Sequence, residues 1–415
     1  MFELELTWNR AAHTGKYARP HVLRVRAIPT NKDGQIGLPI RMGIAVDTSG
    51  SMEGEKLEYA KRACLTIADQ IRPQDRLWLC SFDSQIAPLF NGVAGGGATS
   101  SSLAKSISGL QASGVTRTDY ALDWLSRSVP VEPGTVRVGI LITDGHPTDA
   151  KGTLIGNLVP LVDQAHQLGL QGLSLSTVGL GKASDFNTSF LIDLCNRGHG
   201  TFIYADMPDK LEPQLRECLL AAQAMSSSDA YLLVKPLYED VKPIAFCRVR
   251  PDFVPLDSPT NNCPVQLGAL RGNTPTDILM EVEIPPLRFG ESTGQRDVLQ
   301  VRLESQGLWQ ADAIASIHYT TSFTESQKIN KEVDQDRLMW EINIHTDELS
   351  RTNDDDANRT GELLADIHHK AAQAGFSSTA DQAAQALGEL QKSGKLDAHT
   401  TAVLVSNTRA TGDLT

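Results

Sequence analysis

The sequence predicts an α/β fold: a doubly wound, mostly parallel sheet inserted in an antiparallel β-sandwich, with a C-terminal helical region. Three observations predict it. From about residue 40 to 225, apolar strand-like runs alternate with amphipathic stretches, the pattern of βαβ units whose sheet is covered on both faces. Residues 229–325 hold only strand-like runs separated by Pro and Gly, which suits an antiparallel sandwich. From Ser326 the helical period returns.

The α/β segment reads as follows. Pro39–Val46 is a strand, Glu55–Ile71 a helix and Leu77–Phe82 a strand. A small-residue loop, Gly95–Ser102, leads into a helix near Leu103–Leu110, and another helix runs near Asp119–Ser128. Arg137–Thr143 is a strand, Leu154–Leu168 a helix, Leu173–Leu180 a strand, Phe186–Asn196 a helix, Thr201–Ala205 a strand and Asp209–Met225 a last helix. Ser226-Ser227-Ser228 reads as a linker. Beyond it, Tyr231–Pro236, Ile244–Val249, Asp277–Ile284, Val298–Glu304 and Ala311–Thr320 are strand-like. Residues 2–28 are strand-like too but have no sheet of their own, so they are expected to pair into the later sandwich. The expected division is 1–35, 36–225, 226–325 and 326–415. The last part holds helices near Asp334–Leu349, Gly361–Ala374, Thr379–Ser393 and Ala398–Val405.

Composition narrows the function. The 415 residues carry 38 basic against 50 acidic side chains, a net charge of −12. That argues against nucleic acid, whose binders carry a basic face. It fits a cytoplasmic protein or one that recruits cations. No apolar run is long enough to span a bilayer, and Met1–Arg10 lacks the apolar core of a secretion signal. The six cysteines, Cys64, Cys80, Cys195, Cys218, Cys247 and Cys263, form no C-x-x-C pair. A zinc site is therefore not expected, and Cys64 and Cys80 read as buried free thiols.

The most informative stretch is Ile-Ala-Val-Asp-Thr-Ser-Gly-Ser-Met, residues 44–52. An apolar strand stops at Asp47, and Asp47, Ser49 and Ser51 then alternate as short oxygen donors of the kind hard divalent cations take. In a doubly wound sheet of order 3-2-1-4-5-6, ligands sit at the carboxyl ends of strands 1 and 4. Strand 1 ends in Asp47. Its neighbour across the switch, Arg137–Thr143, ends in Asp144-Gly145. The loop Ser113–Asp119 between them offers Thr116 or Thr118. The helix N-terminus that follows strand 1 repels a cation, which is a reason for carboxylates beside the hydroxyls.

These residues resemble the metal-ion-dependent adhesion site of von Willebrand factor type A domains, over roughly residues 38–225. The family's Asp-x-Ser-x-Ser falls on Asp47, Ser49 and Ser51, its second aspartate on Asp144, and its threonine on Thr116, six residues before the apolar Leu122. Val115 stands where the family usually has a second glycine, so Thr118 stays open as the alternative. The resemblance implies Mg²⁺ (or Mn²⁺ or Ca²⁺) held by Ser49, Ser51 and Thr116, with Asp47 and Asp144 acting mostly through water. A partner protein's Asp or Glu would complete the octahedron, and the last helix, Asp209–Met225, would shift in response. The layout of the whole chain resembles, more loosely, bacterial relatives of inter-α-trypsin inhibitor heavy chains.

Competing readings are plainer. Ser51 could simply cap a helix, but that leaves Asp144 at the matching strand end without a role. His146 could serve as general base in a metal-dependent hydrolase, but no Gly-x-Ser-x-Gly elbow accompanies it. Gly95-Gly96-Gly97 lacks the lysine of a phosphate loop, and Gly179-Leu-Gly181 lacks a third glycine. Asp354-Asp355-Asp356 lacks the alternation of a calcium loop, and His368-His369 face different ways on a helix. The sequence thus predicts a non-enzymatic, metal-dependent protein-interaction module. The alternatives are the hydrolase, or a scaffold or adaptor for an AAA+ ATPase or for a signalling or defence assembly.

Overall fold

The computed structural model describes residues 2–30, 37–95, 100–258, 264–287, 290–305, 309–352 and 356–409. The chain opens with β1 (Phe2–Trp8), β2 (Ala12–His13) and β3 (Arg19–Pro29). The α/β unit follows: β4 (Ile40–Asp47), α1 (Glu55–Gln70), β5 (Arg76–Phe82), β6 (Ile86–Ala94), α2 (Ser100–Ser108), α3 (Thr118–Ser128), β7 (Val136–Thr143), α4 (Val159–Leu170), β8 (Leu173–Leu180), α5 (Thr188–Arg197), β9 (His199–Ala205) and α6 (Leu211–Gln223). Then come β10 (Met225–Pro236), β11 (Lys242–Arg250), β12 (Val254–Leu256), β13 (Val265–Arg271), β14 (Thr276–Ile284), β15 (Gly294–Ser305) and β16 (Trp309–Tyr319). Helices α7 (Phe323–Ser326), α8 (Lys331–Leu349), α9 (Ala357–Ala374), α10 (Ser377–Ser393) and α11 (Ala398–Arg409) close the described chain.

The strands of the α/β unit form one six-stranded sheet, ordered β6-β5-β4-β7-β8-β9. All neighbours are parallel except β6, which returns antiparallel to β5. Successive residues of β4 point to opposite faces, and both faces are dry. Ile40, Met42, Ile44 and Val46 pack with Leu57, Cys64 and Leu215 of α1 and α6, whereas Ala45 joins a second core with Leu122 of α3, Leu161 of α4 and Phe190 of α5. Burial on both sides explains why these strands read as unbroken apolar runs.

The N-terminal strands enter the later sandwich. Strand β3 pairs with β14 from Thr276↔Ala27 to Ile284↔Arg19, giving a sheet ordered β1-β3-β14-β11-β12. It faces a second sheet, β13-β10-β15-β16-β2, across a core that includes Leu23, Val25, Ile278, Met280, Leu299 and Val301. That second sheet includes one parallel pairing, β16 with β2. The outer face of the first sheet is also covered: Val22, Cys247 and Leu279 pack against Leu338, Ile342 and Leu364 of α8 and α9.

Three local expectations are corrected. Ser226-Ser227-Ser228 is not a linker. It lies inside β10, where Ser227 pairs with Leu270 in a bulged stretch, so α6 passes into the sandwich across Ala224 alone. Small hydroxyl residues at a bulge look like a flexible connector in sequence. Strand β6 was not foreseen, because Pro88 and Gly92 break its apolar pattern; as an edge strand it tolerates both. Helix α4 begins at Val159 rather than Leu154, with Pro160 in its first turn, where a missing N–H costs nothing.

The described cysteines are all free thiols. Burial pushes Cys64 up to about 12 and Cys195 up to about 11, so neither is a reactive thiolate. Cys263, Gly96, Gly97, Asp354 and Asp355 lie outside the described residues.

Candidate metal centre

The register of the parallel sheet builds the site. Strands β4 and β7 pair from Ile40↔Val136 to Val46↔Ile142, so Asp47 and Thr143 come side by side at the carboxyl ends and Asp144 follows. The Thr143 hydroxyl donates to Asp47 Oδ2 at 2.5 Å, while Ser49 N–H donates to Asp47 Oδ1 at 2.8 Å. Asp47 is fully buried. Burial pushes its carboxyl up to about 7, against the downward pull of the Thr143 and Ser49 hydrogen bonds.

The serine hydroxyls converge on Asp144. Ser49 Oγ and Ser51 Oγ lie 3.1 Å apart, and Ser51 Oγ donates to Asp144 Oδ1 at 2.8 Å. Thr116 comes from the opposite loop. A Cβ on Gly145 would lie 3.1 Å from Thr116 Oγ1 and 3.5 Å from Ser51 Oγ, so both hydroxyls border the same small space beside Gly145. Thr118 is buried at the start of α3, its N–H donated to the Thr116 carbonyl. The structure thus brings Thr116 to the space that Ser51 borders. Ser51 is exposed, so the cluster opens to solvent.

Backbone bonds clamp the three loops together. Ser113 N–H donates to the Thr48 carbonyl at 2.7 Å, and Gly50 N–H to the Gly114 carbonyl at 3.2 Å. Thr116 N–H donates to the Thr148 hydroxyl at 2.9 Å, and Thr148 N–H returns to the Thr116 carbonyl at 2.9 Å. Gly114 has φ +76°, and a Cβ there would lie 2.5 Å from Ser84 Oγ, so this turn requires glycine. Such cross-bracing fixes the donors before any ion arrives.

Two neighbours were missed in the sequence. Thr143 orients Asp47 as described above. Lys56, in the first turn of α1, sets its ammonium 2.5 Å from Asp144 Oδ2 and 3.2 Å from Asp185 Oδ2. Its chain crosses Gly181, where a Cβ would come within 2.8 Å of Lys56 Cε. A lysine on the polar side of an amphipathic helix carries no signal that it folds back over the loop. His146, the candidate base of the hydrolase reading, makes no hydrogen bond to Ser49 or Ser51 among the described contacts. The other weighed motifs are structural: Gly179 lies against the Phe186 ring, Asp356 caps α9, and His368 donates to the Ala380 carbonyl.

The donor set fits a hard divalent cation. Octahedral Mg²⁺ holds oxygens at about 2.0–2.1 Å, so adjacent ligands are about 3 Å apart. The Ser49–Ser51 spacing of 3.1 Å is compatible with that edge, and Asp144 accepts a hydrogen bond from Ser51 at 2.8 Å. Among the described residues no cluster of three or more His, Cys, Asp or Glu side chains could hold an ion. The oxygens here come mostly from hydroxyls, which suits Mg²⁺, Mn²⁺ or Ca²⁺ better than a soft metal.

Oxygen donors gathered at the carboxyl ends of adjacent parallel strands occupy the position where doubly wound α/β sheets take their ligands. Residues 42–216 match the von Willebrand factor type A domain, and the chain contains a domain of this family. The whole chain resembles two solved structures: a von Willebrand factor type A protein from Catenulispora acidiphila (15% identity, TM-score 0.79, 99% of this chain and 97% of that one) and the ArnB paralog VWA2 from Sulfolobus acidocaldarius (16%, TM-score 0.62, 99% and 98%). Both share the fold. In sequence it is similar to the uncharacterized protein sll0103 of Synechocystis, 24% identical over 71% of this chain and 68% of that protein. It is also 27% identical to human inter-alpha-trypsin inhibitor heavy chain H4, over 44% of this chain and 20% of that protein. The match thus spans about a fifth of the heavy chain. No described helix is long and apolar enough to cross a membrane.

Proposed function

We propose that the chain is a metal-dependent protein-interaction module. Ser49, Ser51 and Thr116 would hold a divalent cation directly, with Asp47 and Asp144 around them. The supporting observation is that the Ser49 and Ser51 hydroxyls lie 3.1 Å apart, with Asp144 hydrogen-bonded to Ser51, in a loop cluster already clamped by backbone bonds. The bound ion supplies a Lewis-acidic position for a carboxylate from a partner. The protein's own part is to aim the hydroxyls, to hold Asp47 through Thr143 and Ser49, and to keep Ser51 at the solvent face. Exposed Leu154, on the loop bridged to Thr148, adds an apolar rim beside the cluster. This reading assigns no chemistry to His146, since nothing orients its ring toward the serines.

The test is a titration of the full chain with Mn²⁺ followed by electron paramagnetic resonance. One saturable site is expected, weakened by about 100-fold or more in Asp47→Ala. A pull-down in Mg²⁺ and in EDTA should then show metal-dependent capture of an acidic partner, unchanged in His146→Ala. Unaltered Mn²⁺ binding in Asp47→Ala would overturn the site. A turnover abolished by His146→Ala would favour the hydrolase.

A further inference from the structure

We propose that a second cavity, at the opposite pole of the parallel sheet, binds an organic anion: a phosphate or carboxylate head on an apolar body. The cavity measures about 790 Å³ and lies between the α/β unit and the sandwich. Its floor is formed by the first residues of β7, β8 and β9, whereas the donor cluster above sits at the carboxyl ends of β4 and β7. Helix α6 and strands β11 and β13 supply further walls. The volume falls within the range of small-molecule sites, about 300–1,000 Å³.

The chemistry of the ligand follows from the wall charges. Five arginines face the cavity: Arg26, Arg137, Arg248, Arg250 and Arg271. Three have carboxylate partners. Arg26 forks onto Asp277 at 2.7 and 2.9 Å, Arg250 meets Asp336 at 2.7 Å, and Arg271 meets Asp252 at 3.0 Å. Of the other two, Arg137 meets no carboxylate among the described residues, and Arg248 has only a long, shared one. Arg137 gives its Nη donors to the backbone carbonyls of Gln171 and Val129, and its Nε is buried without a partner. Arg248 reaches two carbonyls at 3.4 and 3.5 Å and comes only within 4.0 Å of Asp252, whose carboxylate Arg271 already holds. Glu217, the remaining acid on the wall, is exposed to solvent.

Arg137 and Arg248 are 5% and 8% exposed. A guanidinium stays charged in a protein, so it cannot relieve its burial by losing a proton. A buried charge without a counter-charge, as at Arg137, or with one held mainly by a neighbour, as at Arg248, is unfavourable. An anion in the adjoining cavity supplies the missing charge, and the guanidinium fork matches carboxylate or phosphate oxygens. Further unpartnered polar atoms surround the same space: Arg271 Nε, Gln214 Oε1 and Thr274 Oγ1. His199, also on the wall, has φ 56° and is the non-glycine residue with positive φ among those described. Such strain gathers at ligand sites. Leu173, Phe202, Met225 and Leu267 line the rest, which suits an apolar body.

The experiment is calorimetric titration of the full chain, in EDTA, with octyl phosphate and with octanoate. Inorganic phosphate and octanol serve as head-only and body-only probes. One saturable site is expected for an alkyl anion, with octanol about tenfold weaker or more. Arg248→Met and Arg137→Met should each weaken the anion by about tenfold or more, and their ligand-free unfolding temperatures should not fall. Preference between the two alkyl anions assigns the head group. Absence of saturable binding in the natural chain, equal binding of octanol, or unchanged affinity in both Met variants overturns the proposal. The octanol comparison decides even if a variant does not fold.

Discussion

Asp144 serves two neighbours at once. Its Oδ1 accepts from Ser51, and its Oδ2 accepts from the Lys56 ammonium. The lysine is a resident cation beside the space proposed for the metal, and two positive charges within a few ångströms repel by about 1–4 kcal/mol at partly solvated sites. Lys56→Met is therefore expected to tighten Mn²⁺ binding by about tenfold, read in the same resonance titration; weaker binding would show that Lys56 is needed to position Asp144. Gly145 makes the converse case. A methyl group there would crowd the Thr116 and Ser51 hydroxyls at 3.1 and 3.5 Å. Gly145→Ala should weaken Mn²⁺ while leaving the unfolding temperature nearly unchanged, and an unaltered affinity would remove Thr116 from the proposed ligand set.

Among the elements, β2 and β3 carry a buried histidine pair. His21 Nδ1 donates to the Arg10 carbonyl at 3.0 Å, so its Nε2 accepts from His13 Nδ1 at 3.1 Å. Burial lowers both rings, and His21 falls to about 4. The folded ring at His21 thus stays neutral down to about pH 4, whereas the unfolded chain takes up a proton below its ordinary 6.5. In that window the unfolded state binds more protons, so stability falls as pH falls. The expected loss is about 3 kcal/mol between pH 6.5 and 4. Urea unfolding at pH 7 and pH 4.5 should show a smaller difference in His21→Gln than in the natural chain; equal differences would exclude the pair as its source. Another element-scale link joins α11 to α5 and α8. Arg409 is fully buried and donates to Asp347 at 2.6 Å and Asn196 at 2.7 Å. Arg409→Ala strands the Asp347 carboxylate and should cost about 3–5 kcal/mol, seen as a lower urea midpoint.

Over the whole molecule, the parts share cores rather than touching at surfaces. Ala402 and Val405 of α11 pack into the core of the α/β unit, while Leu404 of the same helix packs with α8 and α9. Arg24 of β3 meets Glu332 at 2.7 Å and Asp336 at 3.2 Å across the sheet–helix boundary. Removing residues 398–409 should therefore lower the unfolding temperature of the α/β unit as well as of the helical region. A truncated chain whose Mn²⁺ affinity and α/β unfolding are unchanged would contradict this. The donor cluster at the carboxyl ends of β4 and β7 and the arginine-lined cavity at the starts of β7, β8 and β9 lie at opposite ends of the sheet, joined by β7.

The α/β alternation, the strand ending at Asp47 and its counterpart ending at Asp144 were legible in the sequence. Strands buried on both faces and short oxygen donors at their ends are written in adjacent residues. So was the likeness of roughly residues 38–225 to a von Willebrand factor type A domain, which the family matches over residues 42–216. Long-range placement decided the rest. Lys56 reaches Asp144 only because α1 packs against the sheet, and the loop of Thr116 is held beside Ser51 by its bonds to Thr148. Ser226–Ser228 becomes strand because β13 stands ready to pair with this end of β10. The five cavity arginines come from β3, β7, β11 and β13, and only packing of those strands shows how closely each guanidinium meets a carboxylate. Local pattern fixes what a residue offers to its neighbours; which neighbours it meets is set by the burial of distant apolar faces.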